Sequence, residues 1–187
     1  LLGQGGAINA RAFVDALGAL ATLNPGDPAP AVRIAEALPE NGLLDPSAEM
    51  TPDTPVVPLV FYRALVQAGD LAPVQALAQA LSARGLRPLP IFLKSLKDAG
   101  SRAFLAETFA EAPPSAIINF TAFSAAKPGQ ASDDSPFGVD SPVIQAVLSG
   151  GSLEAWREGT QGLGPRDLAM NVVLPEVDGR ILSRAVS

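Results

Sequence analysis

Val56-Val-Pro-Leu-Val-Phe-Tyr62, then Asp70-Leu-Ala-Pro-Val-Gln-Ala-Leu-Ala-Gln-Ala-Leu-Ser-Ala-Arg-Gly85, then Pro88-Leu-Pro-Ile-Phe-Leu93 is the stretch that decides the fold. The first run is apolar, short and β-branched, which predicts a buried strand, with Pro58 the one residue that strains the reading. The middle run places Leu71, Val74, Leu77, Ala78 and Leu81 on one helical face. Asp70 reads as its N-cap and Gly85 as its left-handed C-cap. Residues 88–93 form the second strand. The alternation continues with a helix from Ser101 that turns Phe104, Leu105 and Phe109 inward, a strand over Ala116–Phe120, a strand over Val143–Leu148 and a short helix from Ser152 to Glu158. Leu168–Leu174 reads as a helix end leading into a strand, and Ile181–Val186 as a further strand. Strands alternating with helices require parallel pairing through crossovers. The expected fold is therefore α/β, a doubly wound, mostly parallel sheet of flavodoxin-like or Rossmann-like type, with strand order 2-1-3-4-5.

Upstream, residues 1–50 read as a short helical segment and linker attached to a domain over 55–187. Asn9 is placed to cap a helix with Phe13, Ala16, Leu17 and Leu20 on one side; Asp27-Pro28 is placed to start a second, with Val32, Ala35 and Leu38 inward. From Pro39 to Pro58 prolines are frequent and periodicity is absent, the pattern of a linker. Downstream, Ala122–Ser141 is long, polar and rich in Gly, Ser, Asp and Pro, and reads as a mobile loop or lid.

Composition narrows the chemistry. Apolar residues make 48% of the 187, charged residues 17%, and there is no cysteine and no histidine. A globular core follows; disulfides, the usual zinc sites and Ser-His-Asp or Cys-His nucleophiles are excluded. Metal ligation is left to oxygen donors, and no resident metal site is expected here. The net charge is −6 and the basic residues are scattered, so no nucleic-acid face is expected. No apolar run reaches the roughly 20 residues that span a bilayer, and no signal pattern opens the chain. Leu1 reads as the edge of a piece or of an ordered region. A cytoplasmic location suits the lack of cysteine.

In open α/β sheets ligands sit beyond the carboxyl ends of the strands. Position alone brings Arg63, Lys94, Ser95, Asn119, Thr121 and the run Ser149-Gly150-Gly151-Ser152 there, and the last assigned strand delivers Glu176 and Asp178. The two glycines would admit an anion to a helix N-terminus, or simply make a capped turn. Arg63 can clamp a carboxylate or pair with Asp70. Trp156 can stack on a flat ligand or anchor the core. Glu176 and Asp178, two apart in extended chain, can share a cation or proton, or pair with Arg166 and Arg180 to hold a turn. No phosphate-binding glycine motif of the dinucleotide or P-loop kind is present.

Several stretches carry a resemblance. Val60-Phe-Tyr-Arg63, Ala76–Gly85, Leu89-Pro-Ile-Phe92, Ser95–Asp98, Asn119-Phe-Thr-Ala-Phe123, Pro142-Val-Ile-Gln145 and Trp156 resemble the CobN/magnesium chelatase large-subunit family, nearer its cobalt branch. The most distinctive part is Gly162-Leu-Gly-Pro-Arg-Asp-Leu-Ala169 running into Leu174-Pro-Glu-Val-Asp-Gly-Arg180. The resemblance covers about residues 55–187 and implies a piece of a larger subunit, inactive alone. It implies a ligase-type enzyme that inserts Co²⁺ into hydrogenobyrinic acid a,c-diamide in cobalamin biosynthesis. The partners implied are the rest of the large subunit, AAA+ ATPase subunits that use ATP with Mg²⁺, and the corrin or other tetrapyrrole precursor. No cofactor is expected on this piece itself. The motif makes Glu176 and Asp178 the catalytic candidates. Arg63, Gln145, Gly150, Gly151 and Trp156 are the substrate-binding candidates, with Asp167 behind them. The competing readings are a docking domain of a magnesium chelatase-type subunit that positions the ATPase partners, and a stand-alone periplasmic-type ligand module; the absent signal pattern and the ends of the chain count against the second.

Overall fold

The computed structural model describes residues 2–31, 33–44, 54–122, 135–148, 152–160, 162–173 and 181–186. Six strands form one sheet: β1 (Gly42–Leu43), β2 (Val56–Tyr62), β3 (Arg87–Leu93), β4 (Ile117–Asn119), β5 (Val143–Leu148) and β6 (Ile181–Val186). They lie in the order β1-β3-β2-β4-β5-β6. All neighbours are parallel except β1 and β3. Without the two-residue edge strand β1, this is the expected 2-1-3-4-5 order. The helices are α1 (Ala7–Ala21), α2 (Arg63–Ala68), α3 (Ala72–Ser82), α4 (Ala99–Glu111), α5 (Leu153–Glu158) and α6 (Pro165–Leu168).

The sheet is buried on both faces, which is why β2 is apolar throughout rather than alternating. On one face Val56, Val60, Leu89, Ile91 and Leu93 pack against Leu105 and Phe109 of α4 and against Phe137. On the other, Val57, Leu59, Phe61 and Phe92 pack against Val74 and the half-buried Leu77, Ala78 and Leu81 of α3. Burying each such side chain contributes roughly 1.5–3 kcal/mol.

Three prolines fit inside these strands because of where their missing N–H would point. Arg87 N donates to Pro55 O, so the odd residues of β3 face β2; Leu44 N donates to Pro90 O, so Pro88 and Pro90 turn their backbone to the outer edge. Pro58 faces the β4 side one residue before the β2–β4 pairing begins at Leu59.

Five local expectations are corrected. Asn9 is not a cap but lies inside α1, which starts after Gly6. Residues 27–39, apart from 32, contain no helix. Pro28 and Pro30 remove donors, Asp27 closes the Asn24 turn by accepting from Asn24 N (2.7 Å), and the Glu36 backbone is engaged by Asn9. Asp70 does not cap α3; its N–H bonds Leu65 O at 3.0 Å, closing the unexpected helix α2 after Gly69. The α4 cap is Asp98, accepting from Ser101 N at 2.8 Å, and Ser101 sits within the helix. Residues 169–173 form a π-helical turn following α6, not a strand, and the fifth parallel strand is Ile181–Val186. Gly85 does take the left-handed conformation expected of it, with φ 73°. Of the long loop after β4, residues 123–134 lie outside the described residues. Its closing part is anchored, because Phe137 is buried in the core.

Candidate functional site

The strand order reverses between β2 and β4, which makes their carboxyl ends the topological switch point where this architecture binds ligands. Four polar side chains converge beneath it. Asn119 ends β4, and its Nδ2 donates to Gln145 Oε1 of β5 at 2.8 Å and to Thr121 O at 3.2 Å. Its Oδ1 accepts from Thr121 N (3.1 Å) and from Thr121 Oγ1 (2.9 Å). Gln145 Nε2 donates to Thr121 O at 3.1 Å and to Ala146 O at 3.3 Å. Tyr62, the last residue of β2, donates its hydroxyl to Ala122 O at 2.6 Å. Strand register explains the meeting, since Asn119 lies directly opposite Gln145. The network holds the backbone of Thr121 and Ala122 where the chain leaves the sheet. In a low-dielectric setting a satisfied network of this kind is rigid.

A second cluster occupies the carboxyl end of β3. Glu40 Oε1 takes the Lys94 ammonium at 2.7 Å, and both side chains are largely exposed. That hydrogen bond, with the attraction of the Glu40 charge, raises the Lys94 pKa. Asn41 Oδ1 accepts from Lys94 N (3.2 Å) and from Ser101 Oγ (2.6 Å). The Ser101 backbone N–H, first among its causes, lowers the Asp98 pKa. The start of α4, where an incoming anion would be favoured, is thus already held by the chain's own carboxylate.

Arg63 opens α2, and its guanidinium binds backbone, donating from Nε to Pro39 O (2.8 Å) and from Nη2 to Leu38 O (2.7 Å). Two basic residues of the carboxyl edge, Arg63 and Lys94, are therefore tied to segment 38–41. Gln145 is 1% exposed, so it acts from beneath the switch point. Trp156 lies in α5, with its side chain outside what is described, and Asp167 is half-buried in α6. Gly150, Gly151, Glu176 and Asp178 lie outside the described residues. The strand expected to deliver the last two is the helical turn Ala169–Val173.

Tyr62, Glu40 and Asn41 were not among the sequence candidates. The first is hidden in an apolar strand and the other two in what reads as linker. Two amide side chains within apolar strands, Asn119 and Gln145, were the available signal, because a buried amide needs partners. Among the described residues no three acidic side chains gather as a metal site, and no helix is long and apolar enough to cross a membrane.

The profile of the CobN/Magnesium Chelatase family matches residues 1–187. The chain belongs to the CobN/magnesium chelatase family. Within it, an aerobic cobaltochelatase subunit CobN from Sinorhizobium sp is 44% identical over 98% of this chain and 16% of its own length. The corresponding subunit of Pseudomonas aeruginosa is 39% identical over 83% of this chain and 13% of its own. A chloroplastic magnesium-chelatase subunit ChlH of Oryza sativa is 33% identical over 68% and 10%. The catalytic subunit of cobaltochelatase from Mycobacterium tuberculosis superposes with a TM-score of 0.66 at 28% identity, over 96% of this chain and 15% of that one. The chain therefore spans 13–16% of the length of the CobN-type subunits that it matches.

Proposed function

We propose that this α/β segment belongs to the large subunit of an ATP-dependent cobaltochelatase, which inserts Co²⁺ into hydrogenobyrinic acid a,c-diamide. The observation that supports this reading is the CobN similarity along nearly the whole chain, against a weaker and shorter similarity to magnesium-chelatase subunits. Insertion removes two pyrrole-type protons from the ring and strips water from the metal. Carboxylates serve both steps, as general bases and as transient oxygen ligands. Glu176 and Asp178 are the carboxylates proposed for this role. Gly150, Gly151 and Trp156 are proposed to meet the flat ring, and Arg63 and Gln145 to set the walls against which it lies. AAA+ partner subunits would hydrolyse ATP with Mg²⁺ and drive movement around the bound ring.

The test is an assay of the full-length subunit with its ATPase partners, ATP, Mg²⁺ and Co²⁺, following the absorption change of the ring on metal insertion. The expected result is cobalt insertion that falls by about 10²-fold or more in Glu176→Gln or Asp178→Asn, the scale of a lost general base. Unchanged turnover in both variants sinks the assigned carboxylates. Magnesium insertion into a porphyrin, with no cobalt activity, sinks the cobalt reading.

A further inference from the structure

Among the described residues, helix α1 is hydrogen-bonded to the rest of the chain only through its first turn. Gly6 N donates to Gln67 O at 2.8 Å, and Asn9 Nδ2 and Oδ1 bond Glu36 O (2.8 Å) and Glu36 N (2.9 Å). Gly5 permits this approach, since at φ 66° a Cβ would stand 2.7 Å from Gln67 O. Beyond the first turn no residue of α1 is buried. Yet Val14 is 64% exposed, Leu17 49% and Leu20 51%.

These residues are ordered. Ala10, Val14, Leu17 and Ala21 recur at spacings of four, three and four, which makes a straight seam along a helix, with Phe13 and Leu20 flanking one side. Arg11 and Asp15, the charged residues of the helix, lie on the opposite side, along a groove of about 300 Å³ shared with Ala31 and Arg33. A 15-residue helix with an uncharged, regularly spaced apolar seam is built to be covered by another helix. The CobN-type relative extends far past the matched region, which is only 16% of its length.

We infer that the Ala10–Val14–Leu17–Ala21 seam of α1 is an internal docking surface of the full-length subunit, seated against an apolar helix from elsewhere in the same polypeptide. The small residues at both ends of the seam let the two backbones approach closely. The inference concerns assembly and does not depend on which metal or ring the subunit handles.

The test replaces Val14 in the full-length subunit with the photo-crosslinker p-benzoylphenylalanine, with the same replacement at exposed Glu107 of α4 as control. The expected product joins α1 to a peptide of the same subunit outside residues 1–187, with no new band of higher mass on a denaturing gel. A dimer-sized band assigns the seam to a second copy, and a band containing an ATPase subunit assigns it to that partner; either overturns the inference, as does the absence of cross-linking. A second variant, Leu17→Lys, is expected to lower the unfolding midpoint of the full-length subunit by several °C, whereas Glu107→Lys leaves it unchanged. Equal midpoints for Leu17→Lys and the wild type also overturn it.

Discussion

The Asn119–Gln145 pair offers a quantitative test of the buried network. The perturbation is a double-mutant cycle: Gln145→Leu, Asn119→Val and the two together, each replacement near its original in volume. Gln145→Leu removes the acceptor of one Asn119 N–H (2.8 Å) and one of the donors to Thr121 O (3.1 Å). Breaking one side of a buried pair costs about 1–3 kcal/mol. Asn119→Val removes the partner of Gln145 Oε1 and the acceptor shared by Thr121 N and Thr121 Oγ1. At about 1 kcal/mol for each of three groups, the cost is about 3 kcal/mol. In the double variant the Asn119–Gln145 bond is absent from both sides, so no amide is left facing an apolar neighbour across it. The relief is partly offset because Thr121 O then loses both amide donors, so the double variant is expected to cost about 1 kcal/mol less than the sum of the singles. Urea unfolding of the 187-residue chain, followed by far-UV circular dichroism at constant m, measures all three values. A double variant that costs the sum or more refutes the account of Asn119 and Gln145 as direct partners.

Three further outcomes follow. Asn9→Ala removes the side chain that bonds Gly5 O and both backbone groups of Glu36, so the amides of α1 are expected to exchange about 10-fold or more faster, while those of β2 and β3 are unchanged; equal protection of α1 counts against the latch. The folded Asp98 carboxyl lies below its ordinary value of 3.8, so its contribution to stability is complete above that value and is lost as pH falls through the folded pKa. Asp98→Asn is expected to show a shallower loss of stability between about pH 5 and pH 2, and parallel curves would contradict this. A Cβ at Gly42 would lie 2.7 Å from Phe92 Cζ in the buried face. Gly42→Ala is therefore expected to destabilise by about 1–3 kcal/mol in the same urea assay; a neutral result means that the ring yields freely.

The sheet was legible because its signal is local and strong. Residues 56–62 and 143–148 are apolar runs bounded by breakers, and the helix between β2 and β3 is periodic with Gly85 at its end. The N-terminal region was legible in part. Asn9 has the residue type of a cap, yet its amide is more valuable to Glu36, far along the chain, and no local rule reveals such a partner. Residues 40–43 read as linker because a two-residue edge strand has no periodicity to detect. Residues 165–173 combine Pro165 at a helix start with β-branched Val172 and Val173, and the first signal prevails over the second. For the candidate site, the carboxyl edge was legible from topology alone. The attachments of Arg63 and Lys94 were not, because their partners are backbone carbonyls and an acid in a segment without pattern.

The prolines of β3 also bear on how the molecule behaves in a crowd. An open sheet edge normally recruits stray strands through its outward N–H groups. Along β3, Pro88 and Pro90 face that edge, and the next outward position, Phe92, is paired with Gly42. Among the described residues, a foreign strand arriving there finds no backbone donor at Pro88 or Pro90, and Pro90 O is already taken by Leu44 N. The same imino acids that make β3 look ill-suited to a strand give its flank resistance to edge-to-edge aggregation.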